Sequence, residues 1–335
     1  MSADVVLSYV WAGIVAAAVF AYVVMDGFDL GLGILFPLFR DEHERGTVMN
    51  SIAPVWDGNE TWLILGGGGL MAAFPLAYAI LMPALYTPVI AMLLGLIFRG
   101  VAFEFRWRTR RGRHFWDRAF FAGSALAAFM QGVALGAILQ GVRVEGRHYA
   151  GGWWDWLSPF SVLSGLALMA GYAALGAGWI ILKTDGELQR HAYRLAGRCG
   201  AGLIAGIAAV SLATPALHSR YAQRWLAWPS VLLSAQVPLL VLISAVLFFL
   251  ALKHRWERAP FLLTLGLFAL SYVGLGISMF PYLVPESVTI LDAAAPAASQ
   301  RFMLVGTVIL IPIIVAYTAH AYWVFRGKVG AEGYH

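Results

Sequence analysis

Charge and cysteine are both scarce in this chain of 335 residues, and each scarcity excludes a class of protein. Asp, Glu, Lys and Arg make up only 12% of the residues, whereas 60% are hydrophobic and the mean hydropathy is +0.74. A soluble domain could not carry this much apolar surface without aggregating. The single cysteine, Cys199, excludes an intrachain disulfide and any zinc or iron–sulfur site built from several cysteines.

The motifs of common enzyme families are missing as well. There is no HExxH zinc motif, no nucleophile elbow and no Walker motif, and "GGGG" at 66–69 lacks the Lys-Ser/Thr of a phosphate loop. A haem held between membrane spans needs axial ligands such as His, Met or Cys in the core. Only His320 lies inside a long apolar run. We expect His320 and Met25 to serve packing, and we expect no haem or metal to be bound by this chain's own ligands.

Long apolar runs are what the chain has in abundance. About 20 apolar residues cross a hydrocarbon core about 30 Å thick. The runs predict an all-α polytopic membrane protein of nine transmembrane helices. The predicted spans are 6–36, 51–74, 78–103, 119–141, 160–182, 195–216, 231–252, 259–280 and 302–325.

Faint internal repetition suggests how these spans are grouped. The Gly-rich ends "LGAILQG" (135–141) and "LGISMFP" (275–281) resemble each other. This pattern favours two four-helix bundles plus one peripheral helix. We therefore expect a single integral membrane domain, 1–335, with approximate halves 1–142 and 158–280 and the ninth helix at 302–325.

The basic residues set the predicted orientation. Of the 23 Lys and Arg, 18 fall after the odd-numbered predicted spans and only five on the opposite side. Because positive loops stay in the cytoplasm, the N-terminus is predicted outside and the C-terminus inside. The net charge of +5 comes from these loop arginines and does not indicate a nucleic-acid partner. Tryptophans in the outer loops "GGWWDW" and "RYAQRWLAW" are typical of headgroup-level anchors, and we expect that role for them.

Carboxylates stand out against this apolar background, first in "WDGNETW" at residues 56–62. Asp57 and Glu60 are three residues apart, and the following 61–98 contain no Asp, Glu, Lys, Arg or His. These 38 residues are too few for two spans and a turn, which need about 44. Glu60 and Asp57 are therefore expected at the cytoplasmic end of one span, on one helix face, and Arg99 at the end of the next.

A second pair, Asp26 and Asp29, lies in "MDGFDLGLG" within the long first apolar run. Insertion scales give about 2.5–3.5 kcal/mol for each charge at a membrane-helix centre, so such residues face protein or water. The residues leave two hypotheses open. The four carboxylates form a proton path from the cytoplasm, or they form a buried packing network with Arg99 as ion-pair partner.

Two motifs then point to a family. "MDGFDLGLGIL", followed by "PVWDGNETWLILGGGGLMAAFPLAYA" and by "FRGVAFEFR", resembles subunit II of cytochrome bd-type quinol oxidases. The resemblance runs over the whole chain, and the first two motifs are long and specific. The compact length and short loops are similar to the cyanide-insensitive branch of that family.

The resemblance implies a haem-free subunit in an electrogenic quinol oxidase of the bacterial cytoplasmic (inner) membrane. Haems b and d-type would reside in the partner, subunit I, and the complex would reduce dioxygen to water with protons taken from the cytoplasm. A small single-span accessory subunit, quinol and membrane lipid are further candidate partners. Some members hold a structural quinone in this subunit, and the residues here do not locate that site.

The resemblance also implies roles for individual residues. Asp57 matches the Asp that helps to line a cytoplasmic proton entrance, and Trp62 matches a Trp bordering an oxygen access route. Glu60, Asp26 and Asp29 match motif positions and receive supporting roles in the proton path. For Trp62, an interfacial anchor is an equally weighted alternative. Two other function classes stay open at this point: a stand-alone proton-coupled membrane transporter and a structural assembly factor.

Overall fold

The computed structural model describes residues 2–109 and 111–329, so Arg110, one of the basic residues counted above, lies outside the described residues. The first helices are α1 (Ala3–Leu35), α2 (Glu42–Asn50), α3 (Trp56–Ala73), α4 (Pro75–Ala84), α5 (Tyr86–Arg108), α6 (Arg113–Gln140) and α7 (Pro159–Lys183). The remaining helices are α8 (Gly186–Leu217), α9 (Ser219–Leu226), α10 (Val231–Ser234), α11 (Gln236–Lys253), α12 (Ala259–Met279), α13 (Ile290–Ala293) and α14 (Ala297–Val324). A 3-10 turn, Phe36–Leu38, extends α1.

Eight helices in the described parts of the chain are long and apolar enough to cross a membrane. They are α1 with its 3-10 extension, α5, α6, α7, α8, α11, α12 and α14. The remaining predicted span, 51–74, corresponds to α3, which is 18 residues long, begins with the polar stretch "WDGNET", and is not among the eight. The protein is therefore an all-helical membrane protein with about eight candidate spans, and the count of nine stays a prediction.

Two small hairpins interrupt the all-α prediction in the loops. Strands β1 (Val144–Glu145) and β2 (His148–Tyr149) pair antiparallel, as do β3 (Tyr282–Val284) and β4 (Val288–Thr289). These short strands contain no long apolar run, so hydropathy does not predict them.

Several predicted boundaries were wrong. The span predicted at 78–103 is split at Leu85 into α4 and α5, because Pro88 has no N–H to continue the helix hydrogen bonding. Helix α8 begins at Gly186 rather than 195, so Arg190 and Arg194 lie on a helix and not in a loop. A helix can continue into water beyond its apolar run, and hydropathy alone does not mark that end.

The outer tryptophans differ in their surroundings. Trp153 and Trp154 are 63% and 64% exposed, whereas Trp156 is buried among the side chains around α4 and α13. The expectation that all three anchor the chain at the headgroups was therefore wrong for Trp156, whose neighbours come from distant parts of the sequence.

Helix α1 lies at the centre and packs against α3, α6 and α7. Its approach to α7 is so close that a Cβ at Gly31 would overlap the backbone carbonyl of Tyr172. Phe28 of α1 stacks on Trp179 of α7 with ring centroids 4.3 Å apart. Small residues at such crossings let membrane helices pack closely, and this packing fixes the face of α1 that carries Asp26 and Asp29.

The segment after α14 is tied to the loops that follow α7 and α11. Lys328 Nζ lies 3.0 Å from Asp185 Oδ1 and 2.9 Å from Glu257 Oε2. The backbone N–H of Val329 donates to the carbonyl of Lys183 at 2.8 Å. We call this set of contacts the C-terminal clasp.

Replacing Lys328 with Met should loosen the C-terminal clasp. Hydrogen bonds from Lys328 and Gln189 lower the pKa of Glu257. Partial burial acts to lower the pKa of Lys328, but hydrogen bonds to Glu257 and Asp185 outweigh it and the pKa is raised. At neutral pH, we expect hydrogen-exchange protection of residues 325–329 to fall about threefold, the size typical of exposed ion pairs. The exposed Lys253→Met is the control and should change nothing.

The same clasp has a predictable pH window. The contribution of Glu257 is present above the ordinary carboxyl pKa of about 4.3 and is lost as the pH falls through its depressed folded value. The contribution of Lys328 is present below about 10.4 and is lost as the pH rises through its raised value. Protection that stays constant from acid to alkaline pH would contradict this account.

Candidate functional site: a buried arginine–carboxylate cluster

Arg99 of α5 lies at the centre of a cluster of three carboxylates. Its Nη2 is 2.7 Å from Asp26 Oδ1 and 3.5 Å from Asp29 Oδ2, and its Nη1 is 3.0 Å from Glu60 Oε2. The side chains of Arg99, Asp26 and Asp29 are fully buried. The planar guanidinium suits this task because it presents several donors in a fixed fork.

The cluster is built where three helices meet. Asp26 and Asp29 share one face of α1 because residues three apart are neighbours on a helix. Helix α3 brings Glu60 to the other side of the guanidinium. The Arg99 guanidinium carbon also lies 5.3 Å from the centre of the Trp56 ring, a cation–π distance.

Asn59 holds the second aspartate in place. Its Nδ2 donates to Asp29 Oδ2 at 2.9 Å, and its Oδ1 accepts from the Tyr322 hydroxyl at 2.7 Å. Tyr322 comes from α14, so this chain of hydrogen bonds links the periphery to the cluster. Asn59 itself is buried.

The four carboxylates differ in burial. Asp57 at the start of α3 is exposed, the Glu60 side chain is 31% exposed, and Asp26 and Asp29 are fully buried. Within the described residues Asp57 makes no ion pair. The structure thus brings Glu60, Asp26, Asp29 and Arg99 together and leaves Asp57 exposed in the first turn of α3.

The carboxylates of the cluster outnumber its arginine. Three carboxyl groups face one guanidinium, so full ionisation leaves two negative charges in excess. Asp29 Oδ1 and Arg99 Nε have no hydrogen-bond partner among the described residues.

Trp62 lies two residues after Glu60 in α3. It is 8% exposed and packs with Ala18 and Tyr22. Its indole nitrogen has no hydrogen-bond partner among the described residues. The ring therefore forms an apolar wall between α1 and α3.

Sequence reasoning missed several polar partners inside the membrane. Asn59 and Trp56 stand within "WDGNETW", where their proximity to the carboxylates was the only signal. Gln131 donates to the Tyr22 hydroxyl at 2.8 Å and accepts from the Tyr172 hydroxyl at 2.7 Å. These contacts join α1, α6 and α7, and no local pattern indicates them.

The histidine of the last long apolar run does not lie in the protein core. His320 is exposed on α14, and its ring lies 6.1 Å from that of Trp323. No group of three or more His, Cys, Asp and Glu within the described residues could hold a metal ion.

The fold and the cluster define a multi-pass helical membrane protein with a charged, partly exposed site among otherwise apolar helices. The sequence model described as "Cytochrome bd terminal oxidase subunit II" matches residues 7–325, and the chain belongs to this family. It is 32% identical to the cytochrome bd-I ubiquinol oxidase subunit 2 of Escherichia coli K12, covering 98% of this chain and 96% of that protein. It is 29% identical to the cytochrome bd ubiquinol oxidase subunit 2 of Bacillus subtilis 168, covering 95% and 96%.

The fold is also that of a solved oxidase. A chain in the structure of bd oxidase from Geobacillus thermodenitrificans superimposes with a TM-score of 0.77 at 16% identity, over 96% of this chain and 98% of that one. The family resemblance read from the motifs is thus confirmed. The chain is a multi-pass subunit of a bacterial respiratory terminal oxidase in the inner membrane, and this membership implies a subunit I partner. It also sets aside the stand-alone transporter.

Proposed function

We propose that this chain is the haem-free subunit II of an oxidase that couples quinol oxidation to the reduction of dioxygen to water. It scaffolds subunit I, which carries the b- and d-type haems, and it supplies a cytoplasmic proton entrance. The naming of the two relatives as ubiquinol oxidase subunits supports a quinol as the reductant. The observation that carries the proton role is the gradient of burial from Asp57 through Glu60 to Asp26 and Asp29.

The proposed topology has nine spans with the N-terminus outside and the C-terminus cytoplasmic. Helix α3 is 18 residues long, or about 27 Å, which supports it as the ninth span with its polar first turns at the cytoplasmic surface. The likeness to the Geobacillus chain supports a conserved helix arrangement. Two four-helix bundles, approximately 1–142 and 158–280, with α14 at the periphery, remain our proposal for that arrangement.

Protons would move inwards along the carboxylates. Asp57 takes a proton from cytoplasmic water, and Glu60 receives it at the boundary between wet and dry surroundings. Asp26 and Asp29 then hold it beside Arg99, whose fixed positive charge keeps the buried carboxylates ordered. A carboxylate between water and a dry interior can relay a proton with modest tuning of its affinity.

Subunit I is the proposed cover for the outer face of α3. A Cβ added at Gly67 or Gly68 would meet no atom within 4 Å apart from the nearby backbone of its own helix, and Ile64 is 74% exposed. The same helix exposes part of Glu60. Since a carboxylate in a membrane avoids lipid and faces protein or water, a protein partner on this face explains both the open glycines and the exposed acid.

Trp62 is the proposed wall of an oxygen access route. Trp62→Ala should change the apparent KM for dioxygen about threefold or more and leave kcat at saturating dioxygen unchanged, because a diffusion route affects only substrate arrival. Oxygen-uptake kinetics of the purified complex measure both constants. Trp153→Ala, at an exposed tryptophan of an outer loop, is the control. An unchanged KM for dioxygen in Trp62→Ala would contradict the oxygen route and leave Trp62 with a packing role only.

The structural quinone, the single-span accessory subunit and the cyanide-insensitive subgroup stay predictions from the resemblance. No described residue is assigned to the quinone.

Purification of a tagged chain from its native membrane tests the proposed function. We expect a larger subunit with haem absorption bands to co-elute and the preparation to consume oxygen on addition of quinol. A colourless chain that elutes alone after gentle extraction would contradict the proposal. If the chain only supports assembly and its carboxylates carry no protons, the Asp57→Asn variant should keep full activity.

A further inference from the structure

A second ion cluster lies at the end of α1, away from Arg99. Arg106 is buried and lies 2.6 Å from Asp117 Oδ1 and 2.8 Å from Glu42 Oε1. Arg45 lies 2.8 Å from the other oxygen, Asp117 Oδ2. Both oxygens of Asp117 are therefore occupied by arginines from this chain.

Beside this cluster is a cavity of ≈ 270 Å³. Its walls include Phe36, Arg45, His114, Asp117, Arg118 and Phe121. The guanidinium carbon of Arg45 lies 5.7 Å from the centre of the Phe36 ring, which forms an apolar side of the cavity. The lining combines positive side chains with aromatic surface.

The charges of this cavity favour an anion. Its one carboxylate, Asp117, is already matched by Arg45 and Arg106. Arg118 is exposed and forms no ion pair with any carboxylate of the described residues. Arg118 therefore adds an unpaired positive charge beside the two paired arginines. A phosphate can accept two hydrogen bonds from such a guanidinium.

The location favours a lipid as the source of that phosphate. The first candidate span ends at Leu38, and the span containing α6 begins at Arg113, so the cavity lies where two spans meet the headgroup layer. Leu38, Phe115 and Phe121 expose 49%, 61% and 37% of their surface, as expected for side chains that face acyl chains. Basic pockets between membrane helices on the cytoplasmic side bind anionic headgroups.

We propose that this cavity binds the headgroup of an anionic phospholipid, with its phosphate on Arg118 and Arg45 and its acyl chains along Phe121. The site lies outside the Arg99 cluster and does not depend on the proton role proposed for it.

Native mass spectrometry of the complete oxidase complex, titrated with phosphatidylglycerol, tests this site. We expect Arg118→Gln to raise the Kd of the tightest-bound phosphatidylglycerol about tenfold, the worth of a charged hydrogen-bond pair. Arg118→Lys should keep most of the affinity, because it keeps the charge. Arg194→Gln, which removes an exposed arginine of α8, is the matched control and should leave the Kd unchanged.

Three results would overturn the proposal. Equal affinity for phosphatidylcholine and phosphatidylglycerol would show that the headgroup charge is not recognised. An equal effect of Arg194→Gln would show diffuse attraction in place of a site. Displacement of the lipid by an excess of inorganic phosphate would identify a free anion as the occupant. Since Arg118 is exposed and unpaired, its substitution should leave the Tm of the complex unchanged, which confirms that the variant is folded.

Discussion

Replacing Arg99 with methionine is expected to prevent the oxidase from accumulating. The change leaves Asp26 and Asp29 fully buried without their cation. Removing one partner of a buried ion pair destabilises a protein by about 3–5 kcal/mol, because the remaining charge is left without compensation. We expect the amount of assembled complex, measured as haem absorbance per milligram of membrane protein, to fall more than tenfold.

Two further variants define the cause of that loss. Arg108→Met removes an exposed arginine from the same helix and should assemble normally. Arg99→Lys keeps the charge but cannot present the fork that reaches Asp26 and Glu60 together, so its yield should be intermediate. Normal assembly of Arg99→Met would mean that the cluster is not held by its arginine.

The second large effect is expected on turnover and not on assembly. Asp57→Asn removes a proton-accepting group that is exposed and makes no ion pair within the described residues. Positioned proton donors and acceptors contribute about 10²–10⁴-fold to rate, so we expect quinol-driven oxygen uptake to fall at least about tenfold. The haem content per complex should be unchanged, because Asp57 makes no ion pair with a member of the buried cluster.

Asp57→Glu restores the carboxyl group and should recover turnover to within about twofold of the parent, given the same proton-transfer requirement. Glu104→Gln removes an exposed carboxylate of α5 and is the matched control. A parallel loss of haem and turnover in Asp57→Asn would favour a packing role and contradict the proton entrance.

The apolar runs predicted helices well because hydropathy and length reflect the same physical demand, burial in hydrocarbon. They failed at Leu85, where backbone hydrogen bonding at Pro88 decides the break. They also misjudged the start of α8, since a helix does not have to end where the lipid ends. The two hairpins depend on short-range turns and left no trace in hydropathy.

The site was predictable in part. The spacing of Asp26 with Asp29, and of Asp57 with Glu60, indicates shared helix faces, and Arg99 was the cation expected to lie near them. Which carboxylates it reaches follows from the crossing of α1, α3 and α5, and that crossing depends on close packing at residues such as Gly31. Such long-range contacts leave no pattern in one sequence.

The same reason explains the residues that were missed. Tyr322 reaches Asn59 from a helix 263 positions away along the chain. The ion cluster of Arg106 and Asp117 draws Glu42 and Arg45 from α2, a polar helix that hydropathy treats as a loop. Functional polar residues on short helices between spans are therefore difficult to predict from one sequence.

The most direct test of the proton entrance is proton uptake itself. The complete complex, fully reduced and mixed with dioxygen in a weakly buffered solution containing a pH indicator, reports the rate of proton uptake during a single turnover. For Asp57→Asn we predict slowed uptake, in proportion to the loss of steady-state turnover, with unchanged binding of dioxygen. Uptake at the parent rate in Asp57→Asn would contradict the central claim and leave Asp57 without a role in proton transfer.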